Sequence, residues 1–263
     1  MDPRPVGVFD SGVGGISVLG ALIKELPHEH FLYYGDNANA PYGTKPVEQV
    51  LACVRGVMRE LTDRGVKAVV IACNTATSVA ASTLRQETAL PIIGIEPALK
   101  PASELRRGGK ILVLATPVTL RLQKFQNLMA HYGEGAIPLA CPGLMELVEQ
   151  EDPQEAEAYL RRLFTPYADQ QVDAVVLGCT HYSFLMPMVR GVMPGAAVLD
   201  GNEGTARQLH HVLTEKQLLN VSDLPGSVRL LSSADTPQQQ VIMQRLLKRA
   251  IDLADGKTTP HHE

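Results

Sequence analysis

The feature that most constrains this chain is an apolar run ending in cysteine that occurs twice. Val66-Lys67-Ala68-Val69-Val70-Ile71-Ala72-Cys73-Asn74-Thr75 is matched, class for class as far as the cysteine, by Val172-Asp173-Ala174-Val175-Val176-Leu177-Gly178-Cys179-Thr180-His181, 106 residues later. A short run of β-branched and apolar residues is the pattern of a strand buried on both faces. Each copy passes at once to residues that cap or turn. Each thiol is therefore expected at the carboxyl end of a buried strand, where open α/β sheets keep their ligand groups. The duplication predicts two like half-sites whose sulfurs face one another across a single cleft.

The remaining segments alternate short apolar runs with helical patterns, as a parallel sheet wound with helices requires. Residues 6–9 read as a strand and residues 16–26 as a helix, with Leu19, Leu22, Ile23 and Leu26 at helical spacing. Between them lies Asp10-Ser11-Gly12-Val13-Gly14-Gly15. Such a turn lets backbone N–H groups approach a ligand at a helix N-terminus. Ser17 stands where the dinucleotide fingerprint has its third glycine, so a tight loop packing strand on helix is an equal reading. Residues 31–34 are a second strand, and the polar loop 35–44 brings forward Asp36 and Tyr42 by position. Residues 46–63 form a helix with Cys53 as a core or boundary residue. After Cys73 a helix runs from Asn74 to about Glu87, its N-terminus favouring a thiolate. Residues 91–95 are the next strand. Glu96-Pro97 and Lys100-Pro101 then break the pattern and place a domain boundary near residue 97.

The second half restarts the same grammar. Residues 110–115 are a strand, Thr116-Pro117-Val118-Thr119 a helix start, and 120–132 the helix. Residues 136–140 form a strand, 144–150 and 151–167 two helices, and a helix carrying Leu185, Met188, Val189 and Val192 follows Cys179. Cys141 also sits at a strand end but lacks the flanking pattern of the repeat. Asp200-Gly201-Asn202 leads a helix to about Leu218, and a strand at 228–232 with a helix at 236–253 returns to the first domain. The expected fold is α/β: two similar three-layer domains with mainly parallel sheets related by a pseudo-two-fold, the active site in the cleft between them. Residues 1–97 plus 206–263 would carry Cys73 and residues 98–205 would carry Cys179. Residues 258–263 are expected to be disordered.

Composition excludes several classes. The chain has 263 residues, 45% hydrophobic and 20% charged, enough for one large or two ordinary domains with a real core. A net charge of −4 without a basic run argues against nucleic acid or an anionic membrane as partner. No apolar stretch approaches the roughly 18 residues of a span. Met1-Asp2-Pro3-Arg4-Pro5 lacks the layout of a signal peptide, so a cytoplasmic protein is expected. None of Cys53, Cys73, Cys141 and Cys179 lies two residues from another, which argues against zinc knuckles and redox pairs. His210-His211 and His261-His262 lack ligand spacing, and no metal is expected.

Two cysteines on mirrored strands suit one chemistry well. A racemase without a cofactor must take a proton from one face of a carbon and return one to the other. One thiolate as base and one thiol as acid is the minimal solution, and reversing direction exchanges the roles. The α-proton of an amino acid is weakly acidic, so the site must exclude water and stabilise carbanion-like charge with fixed donors. Asn74, Thr75, Thr180 and the backbone of Ser11 and Gly43 are the available donors, and His181, two residues from Cys179, can orient it or move its proton.

The blocks Phe9-Asp10-Ser11-Gly12-Val13-Gly14-Gly15, Pro41-Tyr42-Gly43, Ala72-Cys73-Asn74-Thr75-Ala76 and Leu177-Gly178-Cys179-Thr180-His181-Tyr182 resemble the signature blocks of bacterial glutamate racemases, in order and spacing, over residues 6–220. The resemblance implies that Cys73 and Cys179 are the acid/base thiols, assisted by Asp10 and His181 respectively. It implies substrate contacts from Asp10, Ser11, Tyr42, Gly43, Asn74, Thr75, Thr180 and His181, with Asp36, Thr116, Thr119 and Glu149 behind them. It further implies glutamate as substrate, no pyridoxal phosphate or metal, D-glutamate supplied to peptidoglycan, and a homodimer. Leu122 and Phe125 replace the serine and tyrosine common in the family, and Glu146 a proline; these changes bear on dimer arrangement and effector control. Two alternatives stay open: an aspartate-directed racemase of the same fold, and a binding or redox module using the same two thiols without α-hydrogen exchange.

Overall fold

The computed structural model describes residues 2–257; the expectations for 258–263, including His261-His262, lie outside the described residues. The chain divides into two compact units, one of residues up to Glu96 with Asn202–Lys257 and the other of Pro97–Gly201. The described strands are β1 (Val6–Asp10), β2 (Phe31–Gly35), β3 (Ala68–Ile71), β4 (Ile92–Gly94), β5 (Lys110–Ala115), β6 (Ala136–Ala140), β7 (Val172–Leu177), β8 (Ala197–Asp200) and β9 (Val228–Ser232). The helices are α1 (Ile16–Glu25), α2 (Val47–Asp63), α3 (Asn74–Glu87), α4 (Leu99–Leu105), α5 (Gln123–Tyr132), α6 (Leu144–Gln150), α7 (Pro153–Phe164), α8 (Met186–Val192), α9 (Asn202–Glu215) and α10 (Pro237–Ala254).

The first sheet has the order β4-β3-β1-β2-β9 and the second β6-β5-β7-β8, and every neighbouring pair is parallel. Counted within its own unit, each sheet runs second, first, third, fourth strand; the first adds β9 beside its second strand. In both, the order reverses between the first and third strands. Connections leaving those two carboxyl ends diverge to opposite faces of the sheet and leave a crevice, the place where such sheets bind ligands. Asp10 ends β1 and Cys73 lies two residues past β3; Thr116 follows β5 and Cys179 lies two residues past β7. The fold thus delivers the repeated thiols to two equivalent switch points.

Burial on both faces explains the continuous apolar runs. β1 and β3 are buried at every residue. Phe9, Leu32, Val69 and Ile71 pack against Val54 and Leu61 of α2 and Ala80 and Leu84 of α3. On α1 pack α9 and α10, which brings the returning chain into the first unit. That return is pinned by two buried groups already paired with each other, Lys67 and Glu29: Lys67 donates to the Leu218 carbonyl at 2.7 Å and Glu29 Oε1 accepts the Asn220 N–H at 2.7 Å. In the second unit Ile111, Val113, Ala174 and Val176 pack against Leu99, Ala102 and Phe125. Pro138 lies on edge strand β6, where a missing N–H is tolerated.

Several local expectations change. Residues 97–101 do not merely break the pattern: α4 starts within them at Leu99, because Pro101 falls in its first turn, where no N–H is needed. The expected helix 120–132 is a 3-10 turn (Thr119–Arg121), an extended Leu122 and then α5. The one expected at 151–167 starts at Pro153, capped by Asp152, whose carboxylate accepts from the Glu155 N–H at 3.0 Å. After Cys179 the chain makes a 3-10 helix, Thr180–Leu185, before α8. Pro187 cannot donate to the Ser183 carbonyl, so a continuous α-helix from Thr180 is excluded. The chain returns to the first unit at Asn202, the start of α9, rather than at 206. A boundary inside α9 would cut through its hydrogen bonds. Among the described residues no helix is long and apolar enough to cross a membrane.

Candidate active site

The first half-site is built from three loops at the carboxyl ends of β1, β2 and β3. Asp10 is buried, and its Oδ1 accepts the Gly12 N–H at 2.8 Å and the Ser11 hydroxyl at 3.1 Å. The glycine-rich turn therefore holds a carboxylate of the protein itself, and the phosphate-cradle reading of that turn gains no support. Gly15 is required there, because a Cβ would lie 2.7 Å from Asp10 Cβ and 2.9 Å from Ala72 Cβ. Cys73 caps α3: its sulfur accepts the Ala76 N–H at 3.5 Å and lies 3.6 Å from Ser11 Oγ. Burial, and then the Asp10 carboxylate, push the Cys73 thiol up to about 12. The Ala76 N–H at the helix N-terminus favours the thiolate, as expected, but is outweighed by burial and the Asp10 carboxylate.

Asp36 links two of these loops. Its N–H donates to the Asp10 carbonyl at 2.9 Å, while its carboxylate accepts from the Tyr42 hydroxyl at 2.6 Å and from Asn39 Nδ2 at 3.0 and 3.1 Å. Tyr42 is buried, and desolvation with the Asp36 bond pushes its hydroxyl up, so it stays a donor. Tyr42 and Gly43 lie in a 3-10 turn that follows a cis peptide at Pro41. Asn74 and Thr75 open α3 and are buried; Asn74 Oδ1 has no hydrogen-bond partner among the described residues.

The second half-site has a different escort. Cys179 is buried and lies 3.9 Å from His181 Nδ1, and His181 Nε2 is 2.8 Å from Glu149 Oε1 on α6. A carboxylate at Nε2 places a proton there and turns Nδ1 toward the sulfur. The His181 bond holds the Glu149 carboxyl below its usual range. Thr180 is buried beside them, and Thr116 Oγ1 pairs with Thr119 Oγ1 at 2.9 Å at the end of β5. Cys141 follows β6; its thiol donates to the Leu139 carbonyl at 3.4 Å, and burial pushes it up to about 12. Cys53 lies half-buried on α2. His210 pairs with Glu25 at 2.8 Å.

Each sheet thus gathers its own share of the expected residues: Asp10, Ser11, Asp36, Tyr42, Gly43, Cys73, Asn74 and Thr75 in the first unit, Thr116, Thr119, Glu149, Cys179, Thr180 and His181 in the second. Two supports went unread in the sequence. Asn39 brackets Asp36, and Tyr182 donates from its hydroxyl to the Cys141 carbonyl at 3.0 Å while its N–H donates to the Cys179 carbonyl at 3.0 Å. Both stand inside or beside the motif blocks, but contacts between loops leave no periodic trace.

These half-sites can be set beside known proteins. The family described as Asp/Glu/Hydantoin racemase matches residues 14–209. A glutamate racemase from Clostridium botulinum (strain Kyoto / Type A2) is 48% identical over 240 residues, covering 89% of this chain and 93% of that protein. The crystal structure of a glutamate racemase isoform from Bacillus anthracis superposes with a TM-score of 0.84 at 30% identity, covering 94% of this chain and 95% of that one. The Escherichia coli glutamate racemase, in complex with L-glutamate and the activator UDP-MurNAc-ala, gives a TM-score of 0.82 at 30% identity, covering 94% and 96%. Sheet order, motif blocks and these similarities agree: the chain belongs to the aspartate, glutamate and hydantoin racemase family.

Proposed function

We propose that this protein interconverts L- and D-glutamate without a cofactor, Cys73 and Cys179 exchanging the roles of acid and base. The observation that carries the reading is the duplication itself. Two sheets of one strand order each set a buried thiol two residues past the third strand, and each thiol has its own proton partner. Removal of the α-hydrogen breaks the C–H bond and forms an S–H bond at one thiol. Delivery from the other thiol to the opposite face of the carbon completes the inversion. Asn74 Oδ1, buried and lacking a hydrogen-bond partner among the described residues, suits the substrate ammonium. Thr75, Thr180 and the backbone of Ser11 and Gly43 supply donors for its carboxylates, which hold developing negative charge. Glutamate as the substrate is supported by the relatives' shared name and by the relative crystallised with L-glutamate. The same reading has the enzyme cytoplasmic and homodimeric, with D-glutamate passing to peptidoglycan.

The test is racemisation of D-glutamate and D-aspartate by wild type, Cys73→Ser and Cys179→Ser, followed by circular dichroism. Wild type should turn over glutamate in preference to aspartate, and each variant should lose roughly 10²–10⁴-fold. Preference for aspartate would move the protein to another branch of the family. Near-normal turnover by either variant would remove the two-thiol mechanism.

A further inference from the structure

The group that handles the Cys73 proton is expected to be Asp10, yet the sulfur meets something else. Its hydrogen-bond partners are the Ala76 N–H at 3.5 Å, the Ser11 hydroxyl at 3.6 Å and the Ser11 backbone N–H. Asp10 Oδ1 in turn lies 3.1 Å from that same hydroxyl and is fixed by the Gly12 N–H at 2.8 Å. Sulfur, hydroxyl and carboxylate form a chain in which the hydroxyl stands between the other two and can accept from the thiol while donating to the carboxylate. Resting on the proposed racemase reading, we propose that Ser11 is a proton relay: Asp10 acts on Cys73 through the Ser11 hydroxyl.

The step balances. The S–H bond of Cys73 breaks as its proton passes to Ser11 Oγ, and the hydroxyl's original proton passes to Asp10 Oδ1. A thiol and a carboxylate become a thiolate and a carboxylic acid. Ser11 is unchanged, and the three groups carry one negative charge before and after. Constant charge matters in a buried place, where a thiolate beside an ionised carboxylate would put two like charges together. The thiolate then takes the α-hydrogen, and the relay runs backward when Cys73 is the acid. In the other half-site His181 Nδ1 itself faces Cys179, with the Glu149 carboxylate behind the ring.

The experiment compares Ser11→Ala, Ser11→Thr, Asp10→Asn and the Ser11→Ala/Asp10→Asn double variant with wild type, measuring kcat, KM and the α-deuterium isotope effect with each enantiomer. Ser11→Ala should lower kcat by roughly 10²-fold, the scale of a lost acid–base contact. Ser11→Thr, which keeps a hydroxyl, should recover most of it. The double variant should be no slower than the slower single, because both remove one pathway; independent effects would multiply. Ser11→Ala and Asp10→Asn should raise the isotope effect with the same enantiomer, the one whose α-hydrogen Cys73 removes. Multiplying losses, a change in KM alone, or failure of threonine to rescue would overturn the relay while leaving the racemase reading intact. Absence of α-hydrogen exchange in wild type would overturn both.

Discussion

Cys73 and Cys179 start from one backbone conformation and end in two environments. Their φ, ψ angles are −127°, 121° and −137°, 139°, each following a buried parallel strand. Beyond that point Cys73 caps the 14-residue helix α3 and is held by an N–H and a hydroxyl backed by a carboxylate. Cys179 precedes a 3-10 turn and meets an imidazole backed by a carboxylate. The scaffold is duplicated and the proton partners are not. A serine–aspartate chain leaves its half-site anionic, whereas histidine can carry a positive charge, so under the proposed mechanism the two thiols would differ in how a thiolate is generated and kept.

That difference has a thermodynamic limit. L- and D-glutamate have equal free energy, so the equilibrium constant is one, and kcat/KM must stay equal in the two directions in every variant. The asymmetry can be read only in kcat, KM and isotope effects taken separately. The largest effect expected from the escorts is with Asp10→Asn and His181→Asn. Each should lower kcat/KM by roughly 10²-fold or more, and each should raise the α-deuterium isotope effect with a different enantiomer. If both raised it with the same enantiomer, the assignment of one escort to each thiol would be broken. Glu149→Gln keeps an acceptor for His181 Nε2 but removes the charge. It should cost about tenfold in kcat/KM, about 1.4 kcal/mol, and share the enantiomer signature of His181→Asn.

Smaller effects sharpen the first half-site. Tyr42→Phe removes one donor from the buried Asp36 carboxylate, a loss of about 1–3 kcal/mol, which calorimetry should record as a lowered Tm. The high Cys73 value has a linkage consequence. A folded pKa of about 12, raised above the roughly 8.5 of an unfolded thiol, gives stability that is fully present below the unfolded value. It is lost as pH rises toward the folded value. Wild type should therefore lose more stability than Cys73→Ser between about pH 8.5 and 10.5, measured by urea unfolding. Parallel curves would mean the thiol is not held protonated.

How much of this could be read beforehand follows from what kind of signal each part leaves. The inner strands of both sheets were legible because burial on two faces writes continuous apolar runs, as in residues 68–71 and 174–177. The equal placement of the thiols was legible because the run and its cysteine repeat. α4 was hidden by Pro101, since proline marks a break and a first turn alike. The 3-10 turn after Cys179 was hidden by the apolar spacing of the following residues, although Pro187 carried the warning. Glu149 came only with the family resemblance, because an ion pair with His181, 32 residues away, has no spacing rule. The Asp10–Ser11–Cys73 chain could not be read at all: adjacency in sequence does not say whether carboxylate or hydroxyl meets the sulfur.

The central claim, that two thiols act on opposite faces of one carbon, is tested most directly in heavy water. Wild type is given each enantiomer in turn, and product and recovered substrate are separated at low conversion and weighed by mass spectrometry. The account predicts one deuterium at Cα in the product and protium in the recovered substrate, from either starting enantiomer. Product that keeps the substrate's own hydrogen, or deuterium entering recovered substrate as fast as product, would mean a single base and would contradict it.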